Sequence, residues 1–324
     1  MSPPKVLLTA ATGYIGGTIL HQLVTSEAQS LRDLSISLLV RAEDNTAKLK
    51  DKYGDRIIYD RPAHLDDPHQ RVLQHLGPDR SRGRRTRTPP GGGGGGVDNA
   101  KVEGVYEFEE AENARERYPQ RASELLVLDT SLEVVVALSI QASSVYGAGE
   151  GLFQGAALMN PIITGYVLAR GHGFALGYGT GVISYVHVSG LAALYVRCMR
   201  RVVEDGGCDL PRSRAGIVFP INGCTTMQNI AWRCIDAAFD SGVLPRNDEG
   251  PRDREVRTMD LDVAEVGSAG HRLTQGTVAR KLGWEPTRGE KAWTQDFGNK
   301  LRAALAGKRG VTIGNCINEA AGDP

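Results

Sequence analysis

Apolar positions in the first forty residues predict a strand, a helix and a second strand. Val6 to Thr9 is a short apolar run without a breaker, which is typical of a buried strand. From Tyr14 to Val24 the apolar side chains fall on one face of a helix. Leu34 to Val40 is a second apolar run, and together these segments have the ~35-residue length that a βαβ unit needs.

A turn of small residues joins the first strand to the helix and is a candidate phosphate-binding site. Its spacing is Ala10, Gly13 and Gly16, a G-x-x-G-x-x-G pattern with alanine in the first place. Glycine lets the backbone approach a pyrophosphate, and the first N–H groups of a helix point at the anion. The strand–turn–helix context favours a dinucleotide site over an ordinary turn. We expect position 10 to require a small side chain rather than a positive φ, which would strain alanine.

This segment resembles the start of the extended short-chain dehydrogenase/reductase family, which includes NAD-dependent epimerases and dehydratases and NmrA-like proteins. The family pattern T-G-A-T-G-x-I-G appears as Thr9-Ala-Ala-Thr-Gly-Tyr-Ile-Gly16. The resemblance implies an α/β fold, with a Rossmann-type doubly wound parallel sheet in residues 1–165 and a smaller C-terminal α/β substrate lobe in residues 166–324. It places the cofactor on Thr9, Ala10, Thr12, Gly13, Tyr14, Ile15 and Gly16.

The residue after the second strand indicates which nicotinamide dinucleotide binds. NAD sites usually place Asp or Glu there to hold the ribose 2′-hydroxyl, whereas arginine accommodates the 2′-phosphate of NADP. Arg41 occupies this position, followed closely by Glu43 and Asp44. A planar guanidinium suits a phosphate, so the sequence favours NADP and leaves NAD as the alternative.

The proton-transfer residues of the family are altered in this chain. Members carry Tyr-x-x-x-Lys at the start of a helix, where the tyrosine exchanges a proton during hydride transfer. The matching segment is Tyr118-Pro-Gln-Arg-Ala122, and none of the ten tyrosines has a lysine four residues later. The resemblance makes Tyr118 a candidate acid with Arg121 as its partner. An exposed tyrosine at a helix start is the equal alternative.

A second motif follows the strongest predicted strand of the chain. Leu132 to Ile140 predicts a buried parallel strand. It leads to Ser143-Ser-Val-Tyr-Gly147, which resembles the family's P-x-x-V-Y-G-x-G motif beside the nicotinamide. The resemblance therefore adds Ser143, Val145 and Tyr146 to the cofactor site. His187 lies in a segment similar to the family's F-V-H-V-x-D-L-A, and we interpret it as structural.

The expected central strands are missing between these motifs. In the family, this interval carries the fourth and fifth strands, and the fifth ends in a catalytic Ser or Thr. Here five arginines lie between Arg80 and Arg87, and six glycines follow at Gly91–Gly96. Three interpretations of this stretch are open. It is a basic linker that binds phosphate-rich partners, a neutral flexible linker, or a segment foreign to the natural protein, such as a translated intron. We favour the third interpretation, predict disorder over 78–98, and expect an exposed loop or weak helix over 97–117.

Composition narrows the classes of function. The 38 Lys and Arg residues balance 38 Asp and Glu residues, so charge gives no case for nucleic-acid or membrane partners. There is no apolar run of membrane-spanning length, and the N-terminus leads into a strand without a signal-peptide pattern. Five scattered cysteines without a C-x-x-C pair fit reduced thiols better than disulfides or a metal site. These features predict a cytoplasmic protein. The resemblance implies a small-molecule substrate, and a homodimer is an open option.

Two classes of function follow. The first is an NAD(P)-dependent oxidoreductase or epimerase acting on a small carbonyl or sugar-like substrate, which the resemblance implies. The second is a non-catalytic NAD(P)-binding protein, either an NmrA-like regulator or the product of a defective gene model. The altered Tyr-x-x-x-Lys and the missing serine strand favour the second class.

Overall fold

A computed structural model of the chain describes residues 3–40, 43–60, 97–98, 103–115, 117, 119–129, 135–142, 144–153, 155, 157, 159–176, 179–245, 255–259 and 274–307. Three residues of the predicted site, Arg41, Tyr118 and Ser143, lie outside these ranges, as does nearly all of the stretch 78–98. The division of the chain at residue 165 stays a prediction.

Groups of one or two helices alternate with groups of one or two strands along the described parts of the chain. The helices are α1 (Tyr14–Val24), α2 (Gln29–Arg32), α3 (Glu43–Tyr53), α4 (Glu103–Arg115), α5 (Pro119–Asp129), α6 (Met159–Arg170), α7 (Val188–Asp205), α8 (Met227–Asp240), α9 (Thr277–Lys281) and α10 (Glu290–Leu305). The strands are β1 (Lys5–Leu8), β2 (Ser35–Leu39), β3 (Ile57–Asp60), β4 (Val97–Asp98), β5 (Ser139–Ile140), β6 (Ser144–Tyr146), β7 (Gly173–Leu176), β8 (Val182–His187), β9 (Ile217–Val218), β10 (Gly223–Thr226), β11 (Val256–Met259) and β12 (Thr274–Gln275).

A parallel three-stranded sheet in the order β1-β2-β3 begins the fold. Val6 pairs with Ile36, and Ile36 pairs with Ile57. One face is apolar and packs against α1, where Leu20 and Leu23 are fully buried, and against α7 through Ala192. The predicted βαβ unit is therefore confirmed, and the sheet delivers the carboxyl end of β1 to the start of α1.

A second sheet is centred on β8, with β6 parallel on one side and β10 antiparallel on the other. Its register sets Tyr146 opposite His187. Next to it, α6, α8 and α10 pack into the core that contains Ile163, Ile230 and Trp293. The short strands complete three further parallel pairs, β5 with β9, β7 with β11, and β4 with β12. The fold is thus α/β with mainly parallel pairing, and within the described ranges its strands form five separate sheets.

Two expectations about the middle of the chain are corrected. The continuous strand predicted over Leu132–Ile140 is wrong at residues 135–138, because only Ser139 and Ile140 form a strand. Val135 and Val136 are 56% and 58% exposed. The pairing of β5 with the equally short β9 covers only these two residues.

The stretch just before α4 is also more ordered than expected. Val97 and Asp98 pair with Thr274 and Gln275, so the prediction of disorder is wrong for these two residues. Of the exposed loop or weak helix expected over 97–117, the structure shows a helix, α4. It is not wholly exposed, since Val105 and Tyr106 are buried. None of the helices in the described part of the chain is long and apolar enough to cross a membrane.

Candidate functional site

The turn between β1 and α1 is tightly closed. The Gly13 N–H donates to the carbonyl of Ala10 at 2.9 Å. Ala10 itself has a φ of +55°, so the expectation that this position needs only a small side chain is wrong. A β-carbon on Gly16 would lie 2.2 Å from the Ala10 carbonyl oxygen, which explains why glycine stands there. The start of α1 therefore packs directly on the backbone of the turn.

The amino end of α1 offers anion-binding donors. Gly13 is the N-cap residue, so no side chain of its own caps the helix, and the first turn carries no acidic residue. The first N–H groups of an α-helix, here from Tyr14, Ile15 and Gly16, have no acceptor within the helix. They carry the positive end of the helix dipole and suit a phosphate. Thr9 and Ala10 are exposed and residues 12–16 are half-buried, so the turn is reachable from solvent.

The end of β6 lies directly beside this turn. The Tyr14 hydroxyl donates to the Gly147 carbonyl at 2.9 Å. Gly147 has a φ of +97°, and a β-carbon there would lie 2.2 Å from Nε2 of His187. Val145 pairs with Val186 and faces the apolar core next to β8. The structure thus brings the two predicted motifs together, joined through Tyr14 and Gly147.

The segment 147–151 continues along α1. The Glu150 N–H donates to Thr18 Oγ1 at 3.1 Å, and Gln22 Nε2 donates to Glu150 Oε2 at 3.0 Å. Ser189, at the start of α7, donates to Glu150 Oε1 at 2.5 Å. Tyr14, Thr18 and Gln22 are spaced four residues apart and so lie on one stripe of the helix. This stripe holds the loop that follows β6.

Both tyrosines of the site stay protonated near neutral pH. Burial, with smaller contributions from Asp296 and Tyr146, raises the pKa of Tyr14 far above its usual range. Burial raises the pKa of Tyr146 to about 12, and its hydroxyl donates to the Arg288 carbonyl at 3.1 Å. These phenols therefore act as hydrogen-bond donors to the backbone.

His187 is held in its neutral form. Its Nδ1 accepts the Ser189 N–H at 3.1 Å and thereby caps α7. Burial, followed by the charge of Arg288, lowers the pKa of His187. Its ring packs edge-on against Tyr146 with centroids 5.0 Å apart. The structural role expected of His187 fits this geometry.

A buried charged cluster, which the sequence analysis missed, lies behind the end of β6. The Lys300 ammonium donates to the Gly147 carbonyl at 3.0 Å and lies 3.5 Å from Asp296 Oδ1. Asp296 Oδ2 accepts from Asn160 Nδ2 at 3.0 Å. The exposed fractions are 8% for Lys300 and 2% each for Asp296 and Asn160. The available signal was the placement of Asp296 and Lys300, four residues apart, among the apolar positions of α10.

The predicted catalytic pair is only partly described. Arg121 Nε lies 2.5 Å from Glu109 Oε2, and this mostly buried ion pair links α5 to α4. The guanidinium is thus already bound by a carboxylate of the neighbouring helix. Because Tyr118 lies outside the described residues, its pairing with Arg121 stays a prediction.

Comparisons with known proteins find the same fold. No protein-family model matches the chain, and no curated protein matches its sequence. The UDP-N-acetylglucosamine 4-epimerase from Methanobrevibacter ruminantium M1, solved with UDP-N-acetylmuramic acid, is 13% identical with a TM-score of 0.52 over 95% of this chain and 100% of that one. The dTDP-glucose 4,6-dehydratase from Bacillus anthracis, solved with NAD, is 11% identical with a TM-score of 0.51 over 94% of this chain and 97% of that one.

A third solved structure extends the likeness. The UDP-glucose 4-epimerase from Bifidobacterium longum, solved with NAD+ and UDP, is 14% identical with a TM-score of 0.51 over 94% of this chain and 99% of that one. At these identities the likeness concerns the fold alone. It confirms the expected Rossmann-type α/β fold and agrees with the resemblance on which that expectation was based.

Proposed function

We propose that this protein binds a nicotinamide adenine dinucleotide at the amino end of α1, as a relative of the extended short-chain dehydrogenases/reductases. The observation that carries the proposal is the uncapped helix start, packed so closely on Ala10 that Gly16 admits no side chain. Such a turn lets a pyrophosphate reach the first N–H groups of the helix. Two structures of the same fold were solved with NAD, which supports a dinucleotide of this kind.

The residues present fit the two halves of such a cofactor. The N–H groups of Tyr14, Ile15 and Gly16 would hold the pyrophosphate. In Rossmann-type sites the residue after the second strand contacts the adenosine ribose, which assigns that half to Arg41. The nicotinamide half would then extend toward the end of β6 at Tyr146, which the Tyr14–Gly147 hydrogen bond ties to the start of α1. A bound nicotinamide supplies hydride-transfer chemistry.

The substrate class follows from the resemblance and from the fold relatives. Those relatives are named for epimerisation or dehydration of nucleotide sugars, so a sugar-like or small carbonyl compound is the first substrate class to test. We expect the protein to prefer NADP over NAD because the guanidinium of Arg41 suits the 2′-phosphate.

A non-catalytic, cofactor-binding regulator is the second candidate, and a specific observation favours it. Tyr14 and Tyr146, the two tyrosines at the site, both have a raised pKa and both donate to backbone carbonyls. A general acid or base works best with a pKa near the operating pH, which neither phenol has. Proton transfer would therefore need another group, and Tyr118 is the candidate that the resemblance implies.

Titration with reduced cofactors tests the proposal. We expect saturable binding of NADH or NADPH, followed by the fluorescence of the bound nicotinamide, and displacement by ADP-ribose. GTP, which carries phosphates but no nicotinamide, serves as the control ligand. Failure of both reduced cofactors to bind would contradict the proposal. Oxidation of bound NADPH by members of a carbonyl panel, or reduction of bound NADP+ by members of a nucleotide-sugar panel, would decide between enzyme and regulator.

A further inference from the structure

Two side chains from distant parts of the chain donate to one carbonyl oxygen. The acceptor is Gly147, at the end of β6, and the donors are the Tyr14 hydroxyl at 2.9 Å and the Lys300 ammonium at 3.0 Å. Tyr14 opens α1 at the candidate cofactor turn, and Lys300 lies near the end of the last described helix, α10. The carbonyl of Gly147 therefore joins α1 to α10.

The lysine is costly to bury, and its surroundings compensate for that cost. Burying an ammonium is unfavourable unless it is paired and hydrogen-bonded. Here Asp296 provides the opposite charge, and Asn160 donates to the second carboxylate oxygen. Well-packed apolar residues often replace such a buried pair without loss of stability. Apolar packing could not supply the directional hydrogen bond that the Lys300 ammonium donates to the Gly147 carbonyl.

The carbonyl in question belongs to a constrained peptide. Gly147 has a positive φ, and the His187 ring fills the space where a side chain would lie. Beyond it, Glu150 is tied to Thr18 and Gln22 on α1. Fixing the direction of the Gly147 carbonyl thus fixes the path of the chain between Tyr146 and α1.

We propose that Lys300 is a positioning residue for the nicotinamide half of the cofactor, because together with Tyr14 it holds the end of β6, where we place that half. The inference rests on the proposed function. The adenosine half would lie toward the end of β2, where Arg41 follows, whereas the end of β6 is tied to the start of α1 through Tyr14. Loss of Lys300 should therefore weaken the binding of the nicotinamide half more than the binding of the ADP-ribose half.

The test compares NADH with ADP-ribose, which lacks the nicotinamide. The main variant is Lys300→Met combined with Asp296→Asn, which removes both charges and leaves no uncompensated carboxylate. We expect the Kd for NADH to rise ~10-fold, the size of one lost hydrogen bond from a charged donor, and the Kd for ADP-ribose to change less than about twofold. Lys300→Arg should restore NADH affinity, because its guanidinium can still donate to the Gly147 carbonyl.

The control is Lys291→Met, an exposed lysine on the same helix, which should change neither constant. Should the main variant not fold, Lys300→Gln with Asp296→Asn gives the second test, since the shorter amide cannot reach Gly147. Equal weakening of both ligands would show a merely structural role and overturn the inference, as would unchanged NADH binding. If the unmodified protein binds neither ligand, the proposed function fails and the inference falls with it.

Discussion

Gly16 lies so close to Ala10 that a β-carbon on it would stand 2.2 Å from the Ala10 carbonyl oxygen and 2.8 Å from the carbonyl carbon. Both atoms belong to the backbone, so they cannot move aside as the tip of a side chain can. Any residue larger than glycine must therefore push the turn away from the start of α1. The candidate anion site consists of these same two elements.

Gly16→Ala is expected to separate the turn from the helix. Overpacking of this kind typically costs ~1–3 kcal/mol, and we expect at least a ~10-fold loss of NADH affinity. Urea unfolding and NADH titration measure the two effects. Gly165→Ala is the matched control, since Gly165 also lies in a helix but a β-carbon there meets no atom within 4 Å. Tight NADH binding by Gly16→Ala would place the cofactor elsewhere.

Ala10→Gly should stabilise the protein. The left-handed conformation destabilises the folded state by ~1–2 kcal/mol when the residue is alanine, and glycine removes this strain. Glycine also makes the unfolded chain more flexible, which offsets ~0.5–1 kcal/mol of that gain. We therefore expect a net gain of about 0.5–1 kcal/mol in the free energy of unfolding, measured by urea titration. The substitution also restores the full G-x-x-G-x-x-G spacing.

The neighbouring alanine provides the control for this prediction. Ala11 is buried and has no positive φ, so Ala11→Gly should destabilise the protein by ~1 kcal/mol or more. If both glycine substitutions destabilise equally, the positive φ of Ala10 carries no strain.

Local patterns in the sequence predicted the local elements of this fold. The period of apolar residues located α1 and β2 to within one residue, because each buries a continuous apolar face. The same reasoning failed at residues 135–138, where a strand depends on a long partner that the apolar run cannot reveal. It also failed for Ala10, because backbone direction is set by the contact with Gly16. Lys300 was missed because its partner is a carbonyl 153 residues away.

His187 should make stability depend on pH in the mildly acidic range. Burial lowers its pKa, Arg288 and Lys300 act in the same direction, and Asp296 and Glu150 oppose them. Since the folded-state pKa lies below the unfolded value of ~6.5, the unfolded chain takes up the proton more readily. The contribution to stability is thus full above pH ~6.5 and is lost as the pH falls from there toward the folded-state pKa.

His187→Asn separates this titration from the capping role. Asparagine is a good N-cap residue, so it can still accept the Ser189 N–H, but it does not titrate. Urea unfolding between pH ~8 and ~5 should give a flatter stability profile for the variant than for the unmodified protein. An unchanged slope would mean that other groups carry the pH dependence.

Arg41 should decide between the two nicotinamide dinucleotides. We expect NADPH to bind more tightly than NADH, and Arg41→Ala to weaken NADPH at least ~10-fold through loss of a charge-assisted hydrogen bond to the 2′-phosphate. NADH affinity should stay the same. Arg170→Ala, an exposed arginine on α6, is the matched control. Equal affinity of the unmodified protein for both cofactors would contradict the prediction and assign the site to NAD.

Catalysis should be weak or absent even when the cofactor binds. General acid–base help typically contributes ~10²–10⁴ in rate, and it needs a donor within ~3 Å of the substrate oxygen. Tyr14 and Tyr146 are committed to backbone carbonyls with a raised pKa, and Arg121 is bound by Glu109. Pro119 also biases Tyr118 toward an extended conformation ahead of α5 rather than within it.

Single-turnover oxidation of NADPH is therefore expected to be slow, and Tyr118→Phe should leave its rate unchanged. A fast reaction that slows in Tyr118→Phe would restore Tyr118 as the acid, and Tyr106→Phe, a tyrosine buried on α4, is the matched control that should not affect it.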